Sequence, residues 1–174
     1  MPKVVDAVLG GWKVSAIHTY VSGTPLWIGC SQNFFGAGSN ARCSFAPGVS
    51  TGDIPLINPA WSWSHDNIGT TAQGRIPYLN PKAFVLPANM TYGDTPRQMS
   101  YLRRPWSVQE DIAILKSFKI REKVNMEFRA SGSNALNRVV FGAPNTTQNS
   151  PDFGRITGQG NSPRNVQMGA RVSF

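Results

Sequence analysis

The last ten residues of the chain alternate between apolar and polar side chains without interruption. The apolar set is Val166, Met168, Ala170, Val172 and Phe174, and the polar set is Asn165, Gln167, Gly169, Arg171 and Ser173. Successive side chains of a β-strand point to opposite faces, whereas a helix needs apolar residues three and four positions apart. The pattern therefore predicts a strand near residues 164–174 with one apolar face and one polar face.

Three further strands are predicted upstream. The segment 123–134 repeats the alternation, and the segment 107–118 is rich in β-branched residues. Only Lys119 to Glu122 separates these two segments, which leaves room for a short turn and predicts an antiparallel hairpin. The remaining strand is predicted near 11–29, where it begins at Trp12 and continues past an interruption at residues 22–25.

The composition agrees with an all-β chain that has long polar loops. Only 15% of the residues are charged and 40% are hydrophobic, while glycine and proline number 17 and 13. These values exclude a coiled coil and a helical bundle. Residues 31–107 and 134–163 are turn-dense and show no periodicity, so they are predicted to be loops with only short local structure. The predicted fold is an antiparallel meander of about four long strands.

The polar faces of these strands carry charges that the core of a soluble protein does not accept. Glu127, Arg129 and Arg171 are examples. In a transmembrane β-barrel such side chains face a hydrated lumen while the apolar face meets lipid, and short turns at one end oppose long loops at the other. The fold is therefore interpreted as a segment of such a barrel.

Cys30 and Cys43 lie in one glycine-rich stretch with twelve residues between them. Their spacing does not match a zinc or redox motif, which needs a second close pair or nearby histidines. The favoured interpretation is a loop disulfide formed in an oxidising compartment, which would contribute ~3 kcal/mol by loop closure. Two unlinked thiols are the alternative.

No catalytic, metal or cofactor site is predicted. His18 and His65 have no cysteine or histidine partner at ligand spacing, so neither indicates a metal site. The formal net charge of +8 suggests nucleic acid at first. However, the basic residues spread over both strand faces and a turn, so no nucleic-acid partner and no enzymatic activity is expected.

An ordered set of short motifs covers nearly the whole chain. These are Gly10 to Ser15, Tyr20 to Pro25, Leu79 to Phe84, Tyr92 to Arg97, Leu102 to Pro105, Asp111, Lys116 to Ile120, Glu127 to Ala130, Asn134 to Asn137, Phe153 to Ile156 and the terminal strand. In this order they resemble the C-terminal end of TonB-dependent outer-membrane receptors, particularly the Oar-like branch. Each motif alone is weak, whereas the ordered set is specific.

The terminal strand carries a second pattern of the same kind. Outer-membrane barrels resemble one another in ending with a polar residue, a glycine two positions later, and hydrophobic residues at the third-last and last positions. Gln167, Gly169, Val172 and Phe174 match this signal. The resemblance implies that the barrel-assembly machinery recognises this strand through its open edge.

The resemblance implies energised uptake of a ligand or nutrient across the bacterial outer membrane. Such receptors are barrels of about 22 strands that enclose a plug domain and couple to an inner-membrane TonB complex. This chain has no plug and about four strands, so it is expected to be a non-closing fragment whose partners are the rest of the barrel and outer-membrane lipid. Residues 31–107 and 134–163 would then be extracellular.

A soluble β-sandwich that binds carbohydrate is the alternative function. In that case Trp61, Trp63 and Tyr78 would form a platform on which sugars stack. The same three side chains are also candidates for contacting an incoming ligand at the outer mouth of a transporter. Aromatic residues near strand ends, such as Trp12 and Trp27, are expected in a barrel to form the belt at the membrane interface.

Overall fold

The computed structural model of the protein describes residues 8–30, 41–88, 90–121 and 124–174. The strands in these ranges are β1 (Trp12–Val21), β2 (Pro25–Leu26), β3 (Gly29–Cys30), β4 (Ala41–Arg42), β5 (Ser44–Phe45), β6 (Phe84–Val85), β7 (Met99–Arg103), β8 (Ser107–Arg121), β9 (Val124–Ser133) and β10 (Asn165–Ser173). Short 3-10 turns cover His65–Asn67, Thr71–Gln73 and Pro81–Ala83.

The four long strands form one sheet in the order β1-β8-β9-β10. Neighbouring strands β8, β9 and β10 are antiparallel, with Phe128 of β9 opposite Lys116 of β8 and Ala170 of β10. Within the described residues the sheet is open, because β1 and β10 lie at its two edges. The predicted all-β class and the antiparallel meander of four long strands are confirmed.

The register places the alternating residues on two distinct faces. Ile114, Ala130 and Met168 lie side by side on the apolar face, one from each of three strands. On the polar face, Arg171 of β10 lies opposite Glu127 of β9. Every residue of β1 and β10 is exposed. The apolar face of this sheet is therefore not covered by a protein core of its own.

The predicted strand at 11–29 is wrong beyond Val21. β1 ends there, and the next residues to form a strand, Pro25 and Leu26, pair with β7 instead of extending the long sheet. Just after Val21 the backbone packs against the end of β7: an added Cβ at Gly23 would lie 1.7 Å from the carbonyl oxygen of Arg104, and Pro25 pairs with Arg103. Apolar residues resume at Leu26 in the sequence, but there the chain belongs to a different sheet.

The chain divides into two compact units. The first comprises residues 1–21, 108–138 and 162–174, and it contains the long sheet. The second comprises residues 22–107 and 139–161, which correspond closely to the two predicted loops. The prediction of only short local structure holds for its strands, most of which are two residues long. The sequence did not indicate the packing of these segments, which share one hydrophobic core.

The core of the second unit gathers residues from both segments. Its fully or nearly buried members are Leu26, Ile28, Cys30, Cys43, Tyr78, Leu79, Ala83, Phe84, Met99, Leu102, Phe153 and Ile156. The short strands reach this core through non-local hydrogen bonds, for example from the amide of Gly29 to the carbonyl of Thr146 and from the amide of Tyr78 to the carbonyl of Gly154. Such contacts join residues far apart in sequence and leave no periodic signal.

One carboxylate also links the two segments of this unit. Asp152 accepts a hydrogen bond from the backbone amide of Thr71 over 2.6 Å. This bond and a further one with the Thr71 side chain lower the pKa of Asp152 below its ordinary value, and the guanidinium of Arg155 acts in the same direction. Asp152 is therefore charged at neutral pH and holds the turn that begins at Thr71.

Candidate functional site

Four aromatic rings of the second unit pack against one another. We call Trp61, Trp63, Tyr78 and Phe141 the aromatic cluster. The ring centroids of Trp61 and Tyr78 are 5.5 Å apart, and those of Trp63 and Phe141 are 5.4 Å apart, with the rings in each pair nearly perpendicular. This edge-on arrangement is the favourable geometry for aromatic pairs. The structure thus brings together all three predicted ligand-contacting aromatics.

Phe141 is the member that the sequence did not reveal. It comes from the second predicted loop, more than sixty residues after Tyr78, and it contacts both Trp61 and Trp63. The ring of His65 lies 6.2 Å from the ring of Phe141 at the border of the cluster. No local pattern around Phe141 distinguishes it from the other aromatic residues of the chain.

The side chains of the aromatic cluster differ in their exposure to solvent. Tyr78 is only 5% exposed, whereas Trp63 is 53% exposed. The Tyr78 hydroxyl donates a hydrogen bond of 2.8 Å to the carbonyl of Arg103, and burial raises the pKa of Tyr78. The tyrosine is therefore neutral at physiological pH. Trp63 is the side chain of the cluster with the largest surface available to a ligand.

Two short turns hold the exposed tryptophan in place. On one side, the Asn58 side chain accepts a hydrogen bond from the amide of Ala60, and the Asn58 amide donates to the carbonyl of Tyr78. On the other side, the buried Asn67 side chain donates to both the carbonyl and the hydroxyl of Ser62. Trp63 thus projects from a backbone that is fixed before and after it, which reduces the entropy lost when a ligand binds.

The indole N–H of Trp61 is a buried donor with no hydrogen-bond partner among the described residues. A buried donor without a partner costs about 1–3 kcal/mol relative to one that is satisfied. Trp61 lies at the centre of the cluster, in contact with the other three rings. Its contribution to the cluster is therefore apolar packing, and it leaves Trp63 as the outward-facing indole.

Cys30 and Cys43 form a disulfide, and their Cα atoms are 5.2 Å apart. Both residues are fully buried in the core of the second unit. The buried Thr95 donates from its amide and its hydroxyl to the carbonyl of Cys43, which fixes the backbone at one end of the bridge. The disulfide crosslinks β3 to the residue that follows β4.

At the end of β9, a buried carboxylate organises the connection that leaves the sheet. Glu110 of β8 is 7% exposed and accepts a hydrogen bond of 2.9 Å from Nε of Arg138. The imidazole Nδ1 of His18 lies 3.4 Å from the same carboxylate. Asn134 adopts a left-handed conformation there, with φ of 49°, and its amide donates to Asp111. No pattern in the sequence indicates that Glu110 is buried.

Three residues of the proposed assembly signal lie on the edge strand β10, and the fourth, Phe174, follows its last residue. Gln167 and Gly169 belong to its polar face and Val172 to its apolar face, as the pairing with β9 shows. Phe174 is 99% exposed. Nothing in the described part of the chain covers this edge of the sheet.

The sheet geometry agrees with what a comparison of the sequence with protein families found. A family model described as an outer membrane beta barrel domain matches residues 1–167. The chain belongs to the outer-membrane β-barrel domain family. A search of curated proteins and a search of solved structures each found no match.

Membership in this family of outer-membrane β-barrel domains assigns an environment to each face of the sheet. The protein is located in the bacterial outer membrane. In such barrels the apolar face meets lipid and the polar face lines the interior. The family therefore accounts for the exposed apolar residues of β1 and β10, and it decides against the alternative of a soluble β-sandwich.

Two further searches concern other kinds of site in this outer-membrane β-barrel domain. Among residues 8–30, 41–88, 90–121 and 124–174, no three histidine, cysteine, aspartate or glutamate side chains are grouped so that they would hold a metal ion. In the same ranges no helix has the length and apolar character needed to cross a membrane.

Trp12 and Trp27 differ in their positions, although both were expected in an interfacial belt. Trp12 is the first residue of β1 and is 54% exposed. Trp27 lies in the second unit, between β2 and β3, and its indole packs close to Gly29. Trp27 is therefore not on the long strand that was expected to carry it, because that strand ends at Val21.

Proposed function

We propose that this chain is part of the barrel of a TonB-dependent transporter of the Oar-like type, which takes up a ligand across the outer membrane in an energised step. The observation that supports it most is the asymmetry of the strand connections. Both long segments, 22–107 and 139–161, join strand ends at the same end of the sheet, whereas β8 and β9 are joined at the other end by two residues. Long connections at one end of a barrel suit ligand capture from outside the cell.

In this proposal the aromatic cluster receives the ligand. The exposed Trp63 supplies the contact surface, and Tyr78 and Phe141 support it from behind. The cluster is uncharged at neutral pH, since the pKa of Tyr78 is raised by burial. It therefore favours a ligand with an apolar or stacking surface, held by contacts with the ring faces.

The remaining roles belong to partners. The rest of the barrel would pair with the edges at β1 and β10, and a plug domain would occupy the interior against the polar face. The barrel-assembly machinery would bind β10 through Gln167, Gly169, Val172 and Phe174. The TonB complex would act on the plug and would not contact this chain.

The proposal is tested first on the gene and then on the protein. The reading frame upstream of Met1 is expected to encode several hundred further residues, with a plug domain and further alternating strands. A stop codon directly upstream would contradict the transporter. The full-length protein, purified in detergent, is then mixed with the periplasmic domain of TonB, and binding is expected to disappear when the residues before the plug are deleted. An intact full-length protein that does not bind TonB would indicate a passive barrel.

A further inference from the structure

Lys116 is a charged residue on the lipid-facing side of the sheet. On β8 it alternates in phase with Ile114 and Phe118, and Phe128 of β9 lies opposite it. A cationic side chain on the lipid face of a barrel is costly at mid-membrane and cheap near the interfaces. The position of its ammonium group therefore determines whether Lys116 is tolerated on this face and what it can bind.

The ammonium group reaches the residues that precede β1. Its Nζ atom donates hydrogen bonds to the carbonyls of Gly10 and Val8, the latter over 3.3 Å. It also lies 4.9 Å from the centre of the Trp12 ring, and the indole N–H of Trp12 donates to the same Val8 carbonyl over 2.8 Å. A lysine that extends along an apolar surface towards the end of a strand, next to a tryptophan, is the arrangement expected at a membrane interface.

An apolar groove begins beside this ammonium group. It has a volume of 550 Å³, and its walls include Trp12, Ile114, Phe128, Ala130, Met168 and Ala170. The small side chains of Ala130 and Ala170 form its floor between the larger ones on neighbouring strands. Since the groove lies on the face that meets lipid, the hydrocarbon available to fill it is an acyl chain.

The ammonium group retains the capacity to bind an anion. A lysine has three N–H donors, and the two backbone carbonyls use two of them. Among the described residues no carboxylate forms an ion pair with Lys116. Within the described ranges the positive charge is met by two carbonyl dipoles and by the face of the Trp12 ring.

We propose that Lys116 and Trp12 form a binding site for an anionic phospholipid. The phosphate accepts a hydrogen bond from Nζ of Lys116, and one acyl chain lies in the groove between β8, β9 and β10. Charge complementarity selects a lipid with a net negative charge, since the residues that line the groove include the cations Lys116 and Arg129 and no acidic residue. The inference depends on the lipid-facing side of the sheet, and it is independent of TonB-dependent transport.

The test uses the full-length protein that carries this chain, purified in detergent and analysed by native mass spectrometry with added lipid. Phosphatidylglycerol is the anionic probe, phosphatidylcholine is the zwitterionic probe, and inorganic phosphate tests for a headgroup site alone. K116M removes the charge and keeps the side chain apolar. K119M is the matched control, because Lys119 lies on the same strand but on the opposite face.

Wild-type protein is expected to retain phosphatidylglycerol more strongly than phosphatidylcholine. K116M is expected to weaken phosphatidylglycerol binding by about tenfold, the factor that corresponds to one charged hydrogen bond. K119M and the charge-preserving K116R are expected to behave like wild type. Equal retention of both lipids by wild type, or undiminished phosphatidylglycerol binding by K116M, would overturn the proposal.

A second variant covers the case in which K116M fails to fold. A170F fills the groove without touching the charge, and it is expected to weaken binding of both lipids. Inorganic phosphate at millimolar concentration is expected to displace little phosphatidylglycerol, because it lacks the acyl chain. Displacement of the lipid by phosphate alone, or unchanged lipid binding by A170F, would contradict a site that includes the groove.

Discussion

The ring of Trp63 packs edge-on against the ring of Phe141, with their centroids 5.4 Å apart. The two residues come from the two separate segments that the sequence presents as independent loops. Their contact belongs to a unit with its own core and its own disulfide. The described residues of the two long connections therefore form one packed unit that carries a candidate ligand surface.

Replacing Phe141 tests whether the two segments depend on each other. F141A removes a half-buried ring that contacts Trp61 and Trp63, and a cost of about 2–3 kcal/mol is expected, somewhat below the range for fully buried phenylalanine. Hydrogen exchange should accelerate around residues 58–78 as well as around residue 141. The control L136A removes an exposed side chain of the first unit, and it should leave exchange in residues 58–78 unchanged. Faster exchange confined to residues next to 141 would contradict a shared unit.

Trp63 is expected to contact the ligand in the proposed transporter. W63A should reduce uptake at limiting ligand concentration by about fivefold, since one aromatic contact of this kind contributes roughly 1 kcal/mol. W63F should retain part of the activity. Y101A removes another exposed aromatic of the same unit and serves as the control. Uptake by W63A at the wild-type rate would exclude this residue from the ligand site.

Because Tyr78 is buried, the folded protein is expected to become less stable at high pH. Burial raises its pKa in the folded protein above the ordinary value of 10.0, so the folded state holds the proton more tightly than the unfolded state. The stabilisation by the neutral phenol is complete below pH 10, and it is lost as the pH rises through the folded-state pKa. The melting temperature, measured between pH 9 and 12, reports this loss of stability. Y78F should reduce the alkaline decline, and it should also lose the hydrogen bond to Arg103 at every pH. An identical pH profile in Y78F would show that another group causes the decline.

The disulfide between Cys30 and Cys43 is expected to stabilise the second unit. The double variant C30S/C43S should lower its free energy of unfolding by about 3 kcal/mol, the value for closing a loop of this length. Limited proteolysis should then cut residues 41–88 faster, while β8, β9 and β10 remain protected. Reduction of the wild-type protein with dithiothreitol is the matched comparison. Equal proteolysis of the oxidised and serine forms would contradict the role of the bridge.

The long sheet could be predicted because its information is local. Alternation within each strand fixes which residues share a face, and the two residues between Arg121 and Val124 force β8 and β9 to pair. The end of β1 could not be predicted, because residues 26–28 are again apolar after the interruption at residues 22–25. The turn away from the sheet depends on the contact between Gly23 and Arg104, which are eighty-one residues apart.

The candidate site was predictable in part. Trp61, Trp63 and Tyr78 were identified from their residue type and loop position, and the structure places them in one cluster. Phe141 and the buried Glu110 were missed for a physical reason. Each owes its environment to residues distant in sequence, and a strand of two residues is too short to show a period.

The most direct test of the barrel assignment is the labelling of single cysteines along β10 in intact outer membranes. One set of cysteine variants, at Gln167, Gly169 and Arg171, lies on the polar face, and the other set, at Met168, Ala170 and Val172, lies on the apolar face. The two native cysteines do not react with the reagent because they form a disulfide. A small water-soluble thiol reagent is expected to label the first set and to leave the second, lipid-facing set unlabelled. Labelling of all six positions at similar rates, as in a sheet exposed to water on both faces, would contradict the assignment.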